Sequence, residues 1–77
     1  MKKQYTYNNL KADLVSLNQK LEDRNDEYRF EIDARYGYTA VNLATPEQVK
    51  RHCCTRMLVG GTPIACLNAC YEYIALN

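Results

Sequence analysis

Tryptophan is absent from this 77-residue chain, and phenylalanine and histidine occur once each. No run approaches the roughly 18 apolar residues of a transmembrane helix, so no membrane span is expected. Behind Met1-Lys2-Lys3, a signal peptide would need about 7–15 continuous apolar residues. Gln4, Asn8, Asn9, Lys11 and Asp13 interrupt any such run. The expected compartment is therefore the reducing cytoplasm, where the four cysteines are thiols rather than disulfides. Net charge is small too: ten basic residues against nine acidic give +1, and no global field steers the protein to a polyanion or a membrane surface. Internal repeats, low-complexity runs and linkers are missing, so residues 1–77 read as a single domain.

What remains is an ordinary globular balance, 47% hydrophobic and 25% charged, which argues against disorder. A chain this short buries only about 60% of its unfolded surface and gains from a metal, a disulfide or a partner subunit. Charge is zoned along it. Lys2, Lys3 and Lys11 open the chain, residues 13–33 are acid-rich, and residues 50–56 turn basic through Lys50, Arg51 and Arg56. Separate zones of opposite sign suit an oriented protein partner.

Tyr7, Leu10, Leu14, Leu17 and Leu21 recur at steps of three and four, which predicts a helix over about residues 7–25, with Thr6, Asn8 and Asn9 near its N-cap. Arg24-Asn25-Asp26 supplies a turn. The period then changes to two: Tyr28, Phe30, Ile32 and Ala34 alternate with Arg29, Glu31, Asp33 and Arg35, as in a half-buried strand. Tyr36-Gly37 breaks it with a residue that tolerates positive φ. Residues 38–44 form a second, antiparallel strand with Thr39, Val41 and Leu43 on one face. Thr45-Pro46-Glu47-Gln48 is a capping-box start for a helix over 46–58, whose apolar side would hold Val49, Cys53 and Met57 and which Gly60-Gly61 would end. Residues 49–58 also alternate well enough for a third strand. Thr62-Pro63 starts a last helix, apolar over most of its circumference, with Ile64, Leu67, Tyr71 and Ile74 as its stripe and Cys66, Cys70 and Tyr73 widening it. The expected architecture is α+β, in the order α-β-β-α-α with helices packed on an antiparallel hairpin, or α-β-β-β-α with a three-stranded sheet.

The constellations that could carry chemistry read mainly as structure. His52, Cys53, Cys54, Cys66 and Cys70 are five soft donors, but no Cys-x2-Cys pair is present, and neighbouring helical cysteines point about 100° apart. They are expected to be buried thiols, with a small metal or thiol protein as an alternative. His52 has no sequence signature joining it to a nucleophilic cysteine. Glu22, Asp23, Asp26 and Glu27 crowd the end of the first helix, where they oppose its dipole, and read as a solvated loop. Gly60-Gly61-Thr62-Pro63 lacks the lysine of a phosphate loop and is a connection. Neither a catalytic residue nor a cofactor is expected. Lys50, Arg51, His52 and Arg56 with Tyr36 and Tyr38 give the second alternative, a nucleic-acid surface. Seven tyrosines suit interfaces. Tyr5, Tyr36 and Tyr38 are expected at exposed edges, Tyr7, Tyr28 and Tyr71 in the core. The expected partner-binding residues are Tyr36, Tyr38, Lys50, Arg51, Arg56, Glu31 and Asp33. The last helix, Ile64 to Leu76, is apolar enough to support a homodimer.

Gly60-Gly61-Thr62-Pro63 followed by Cys66, Ala69, Tyr71 and Ile74 resembles helix starts of the small accessory proteins of bacteriophages and prophages. The likeness covers the last third of the chain and carries over no individual residue's role. That group includes inhibitors of host defence, anti-CRISPR proteins among them. It implies a non-enzymatic protein that binds a host protein or complex, such as a CRISPR effector.

Overall fold

Thr6 starts the first helix as expected. Its hydroxyl accepts from the Asn9 amide at 3.2 Å, and the Asn9 side chain accepts from the Thr6 amide at 3.0 Å. This reciprocal cap satisfies N–H groups that a helix otherwise leaves orphaned. The computed structural model describes residues 4–34, 37–51 and 56–76. Helix α1 spans Tyr7–Asp23 and buries Leu10, Leu14, Leu17 and Leu21. Asn25 ends it at φ 57°, with Asn25 N–H bonded to Glu22 O and Asp26 N–H to Leu21 O. That paired pattern is the Schellman stop, and asparagine tolerates its left-handed residue.

Strands β1 (Arg29–Asp33) and β2 (Thr39–Ala44) pair antiparallel, with Phe30 opposite Leu43 and Ile32 opposite Val41. Gly37 takes φ 79° in the connection, the positive value expected of it. Ala34 does not continue the inner face; it lies past the strand and is exposed.

The ambiguous segment divides between its two readings. Helix α2 is short, Pro46–Arg51, and has the expected box, with Gln48 N–H to Thr45 Oγ1 at 3.2 Å and Thr45 N–H to Gln48 Oε1 at 2.9 Å. Strand β3 then covers Arg56–Gly61 and pairs antiparallel with β2. Gly60 and Gly61 therefore belong to a strand and do not end a helix. The β-branched and long apolar residues Met57, Leu58 and Val59 gain a ladder with β2 that a surface helix would not supply. A register shift opposite Val41/Asn42 leaves Leu58 as the extra residue of a bulge. Helix α3, Pro63–Leu76, is capped by Thr62, whose hydroxyl accepts from the Ala65 amide at 3.3 Å.

The order is thus α-β-β-α-β-α, with sheet order β1-β2-β3. α1 lies over β1, α3 over β3 and β2, and the two helices touch each other. Between helices and sheet sits one core of Leu10, Leu14, Leu17, Leu21, Phe30, Val41, Leu43, Cys66 and Cys70. Each large side chain there contributes ~1.5–3 kcal/mol before chain entropy is counted. Every residue of β2 is buried, because it is the central strand.

The inner face of α3 centres on Cys66 and Cys70, not on the Ile64–Tyr71 stripe, and both Ile64 and Tyr71 are exposed. A helix apolar nearly all round gives little directional signal, so close approach to the sheet decides. The small Cys66 thiol reaches the Thr39 carbonyl at 3.6 Å. Tyr5, expected at an exposed edge, is half-buried against the core and donates to Asp13 at 2.5 Å. Tyr28 packs against the core as expected, and Tyr7 is half-buried.

Two polar devices join the layers. The Asn18 amide on α1 donates to Phe30 O at 3.0 Å and accepts from Phe30 N–H at 2.7 Å. It covers the free edge of β1 as a neighbouring strand would. Asp26 is the second. It accepts from the Tyr28 amide at 2.9 Å, Arg24 Nη2 at 2.8 Å and the Tyr73 hydroxyl at 3.2 Å. Arg24 also donates to the Ile74 carbonyl at 2.9 Å, and its guanidinium lies 5.7 Å from the Tyr73 ring centre. The turn after α1 therefore grips the last turns of α3. Among the described residues, no helix is long and apolar enough to cross a membrane.

Candidate functional site

Residues opposite one another in antiparallel strands share a face. The register therefore builds two rows across the side of the sheet turned away from α1 and α3. One row runs Glu31, Asn42, Met57; the other runs Asp33, Ala40, Gly60. Tyr38 stands two residues before Ala40, on that same side, and its ring lies over Gly60. A Cβ built on Gly60 would come within 2.5 Å of Tyr38 Cε2 and 3.4 Å of Met57 Sδ. Glycine is thus required for the tyrosine to lie flat against the strand, and the ring covers backbone that glycine leaves bare.

The outcome is a divided face. Glu31 and Asp33 form an acidic margin on β1. Tyr38 and Met57, 45% and 44% exposed, form an apolar margin on the β3 side. Between them Ala40, Asn42 and Ala44 are a buried floor of small residues. Arg29 stands on the same margin and keeps its positive charge there, its guanidinium held by the Asp26 and Tyr28 carbonyls at 2.8 Å each.

Of the residues expected to bind a partner, the sheet brings Glu31, Asp33 and Tyr38 together. Lys50, Arg51 and Arg56 are placed elsewhere. Lys50 and Arg51 are exposed on α2, where Arg51 pairs with Glu47 at 2.7 Å. Arg56 is exposed at the start of β3, opposite Leu43. The basic strip is split between two elements, and one of its charges is locally matched. Tyr36, His52, Cys53 and Cys54 lie outside the described residues.

Met57 was missed by sequence reasoning, which put it on the buried side of a helix; the bulge at Leu58 sets it on the opposite face from Val59, and alternation along the chain does not show that. Asp26 was read with its neighbours as solvated loop, yet it is turned inward. Burial pushes its pKa up, but the Tyr28 amide, the Arg24 guanidinium and the Tyr73 hydroxyl outweigh this and hold it below the ordinary value. Tyr73 is raised by burial and by Asp26 beside it.

The two thiols among the described residues, Cys66 and Cys70, are poorly suited to nucleophilic work. Burial raises Cys66. Burial, with Cys66 one turn away, pushes Cys70 up to about 12. Both remain protonated near neutrality, whereas a reactive cysteine needs its thiolate. Among the described residues, no group of three or more His, Cys, Asp or Glu side chains could hold a metal. No protein-family model, curated protein or solved structure matches the chain.

Proposed function

We propose that the chain is a non-enzymatic binding protein that docks on a protein partner through the divided outer face of its sheet. The observation that carries this reading is the arrangement of exposed Tyr38 and Met57 beside Glu31 and Asp33 over a floor of small residues. An aromatic and a methionine offer contact area at the centre of an interface, and a charged rim sets orientation. The chemistry favours a partner with an apolar patch flanked by polar groups. The protonated state of the core thiols supports a role without nucleophilic catalysis. The setting we favour is the cytoplasm of a bacterial host, where such a protein would block a host complex, in keeping with the likeness to phage accessory proteins.

The test is affinity capture from host lysate with the native chain and with a Tyr38→Ser/Met57→Ser variant. Both side chains are about half exposed, so the variant keeps its fold, as far-UV circular dichroism would show. A stoichiometric protein recovered by the native chain and lost by the variant supports the reading. Equal recovery by both, or no stoichiometric protein at all, contradicts it.

A further inference from the structure

The opposite side of β3 offers a different surface. A groove of about 370 Å³ runs between β3 and α3, walled by Leu58 and Val59 on the strand and by Ala69, Glu72, Tyr73 and Leu76 on the helix. Leu76, although it lines the groove, is 76% exposed and projects from it. An apolar hollow next to an apolar projection is a shape that fits its own copy, since in a two-fold contact the projection of each molecule meets the hollow of the other.

Charge points the same way. β3 and α3 together carry only two charged residues, Arg56 and Glu72, of opposite sign. Both are exposed, and neither has an ion-pair partner among the described residues. A face with one charge of each sign is complementary to itself and offers a polyanion no net attraction. The bulge at Leu58 distorts the free edge of β3 and works against flat edge-to-edge strand pairing. A contact on this face would therefore use side chains of α3 and β3.

We propose that the α3–β3 groove is the interface of a symmetric homodimer, in which Leu76 of each copy enters the groove of the other and Arg56 of each meets Glu72 of the other. A second copy also supplies the apolar burial that a chain of this length lacks on its own. The outer face of each sheet stays free, so the dimer presents two partner-binding faces.

Sedimentation velocity from about 5 to about 500 μM tests this on the full chain. The native chain is expected to move from monomer to dimer with concentration. Leu76→Glu, at a largely exposed position, is expected to weaken dimerisation at least tenfold while leaving the circular dichroism spectrum unchanged. Arg56→Glu and Glu72→Arg, each alone, set like charges against one another and weaken it too; the double exchange R56E/E72R restores it. A native chain that stays monomeric throughout overturns the proposal. So does a dimer indifferent to L76E, or a double exchange no better than either single change. Capture of a foreign partner by the L76E monomer is expected to persist, so this proposal and the outer-face reading fail separately.

Discussion

Replacing Asn18 with alanine removes both hydrogen bonds that fasten α1 to the free edge of β1, at 2.7 and 3.0 Å to the two backbone groups of Phe30. Each such bond contributes about 0.5–1.5 kcal/mol net. Both Phe30 groups are partly sheltered by the helix above them, so water replaces the lost partner imperfectly. The expected loss is about 1–3 kcal/mol. In a domain of this size each kcal/mol moves the melting temperature by about 4–8 °C, so a fall of roughly 5–20 °C is expected. Asn18→Leu separates bonding from packing. It keeps a side chain of similar bulk and adds apolar contact, yet it leaves the same two groups unpaired, so it too is destabilised. Urea denaturation followed by circular dichroism gives the free energies, and hydrogen exchange at the Phe30 amide gives the local effect, which is faster exchange in both variants. If both variants lie within about 0.5 kcal/mol of the native chain and Phe30 stays as protected as before, the amide is not the clasp described here.

Asp26→Asn tests the grip on α3 through pH. The Asp26 pKa is lower in the folded state than its ordinary 3.8. Its contribution is therefore fully present above the unfolded value and lost as pH falls through the folded one. Urea midpoints of the native chain should drop from about pH 5 downward, and those of the variant should start lower and vary less. In a chain carrying Cys53→Ser and Cys54→Ser, the remaining thiols of Cys66 and Cys70 are expected to resist a thiol reagent at pH 7.5 until denaturant is added; prompt labelling of the folded protein contradicts their burial. If the basic residues on α2 and β3 bound nucleic acid, affinity at about 50 mM salt would fall steeply toward about 200 mM; no binding is expected at either, by fluorescence anisotropy with a labelled oligonucleotide.

Much of this architecture was legible before any coordinates. The leucine spacing gives α1 because burial on one helical stripe requires that period, and Thr6, Thr45 and Thr62 mark helix starts because local backbone donors need local acceptors. The strand face of Phe30 and Ile32 follows from alternation for the same reason. Residues 46–61 were ambiguous because the strong start at Thr45 governs only one short helix, and pairing with β2 then outweighs helical propensity. The inner face of α3 was hidden because nearly every position on it is apolar. Asn18 and Asp26 were not legible at all, since their partners lie 12 and 47 residues away and only the fold brings them together. The candidate site shows the same division. Glu31, Asp33 and Tyr38 could be named from alternation and turn position, but Met57 joins them only through the register of β3, which sets Arg56 on the other face, while Lys50 and Arg51 lie on α2.

A photo-crosslinking amino acid at position 57, in cells that make the chain naturally, addresses the outer-face account most directly. The control places it at position 15, where Val15 is 73% exposed on α1. One discrete adduct to another protein from position 57, and none from position 15, is the predicted result. The same adduct from both positions, or one from position 15 alone, would contradict it.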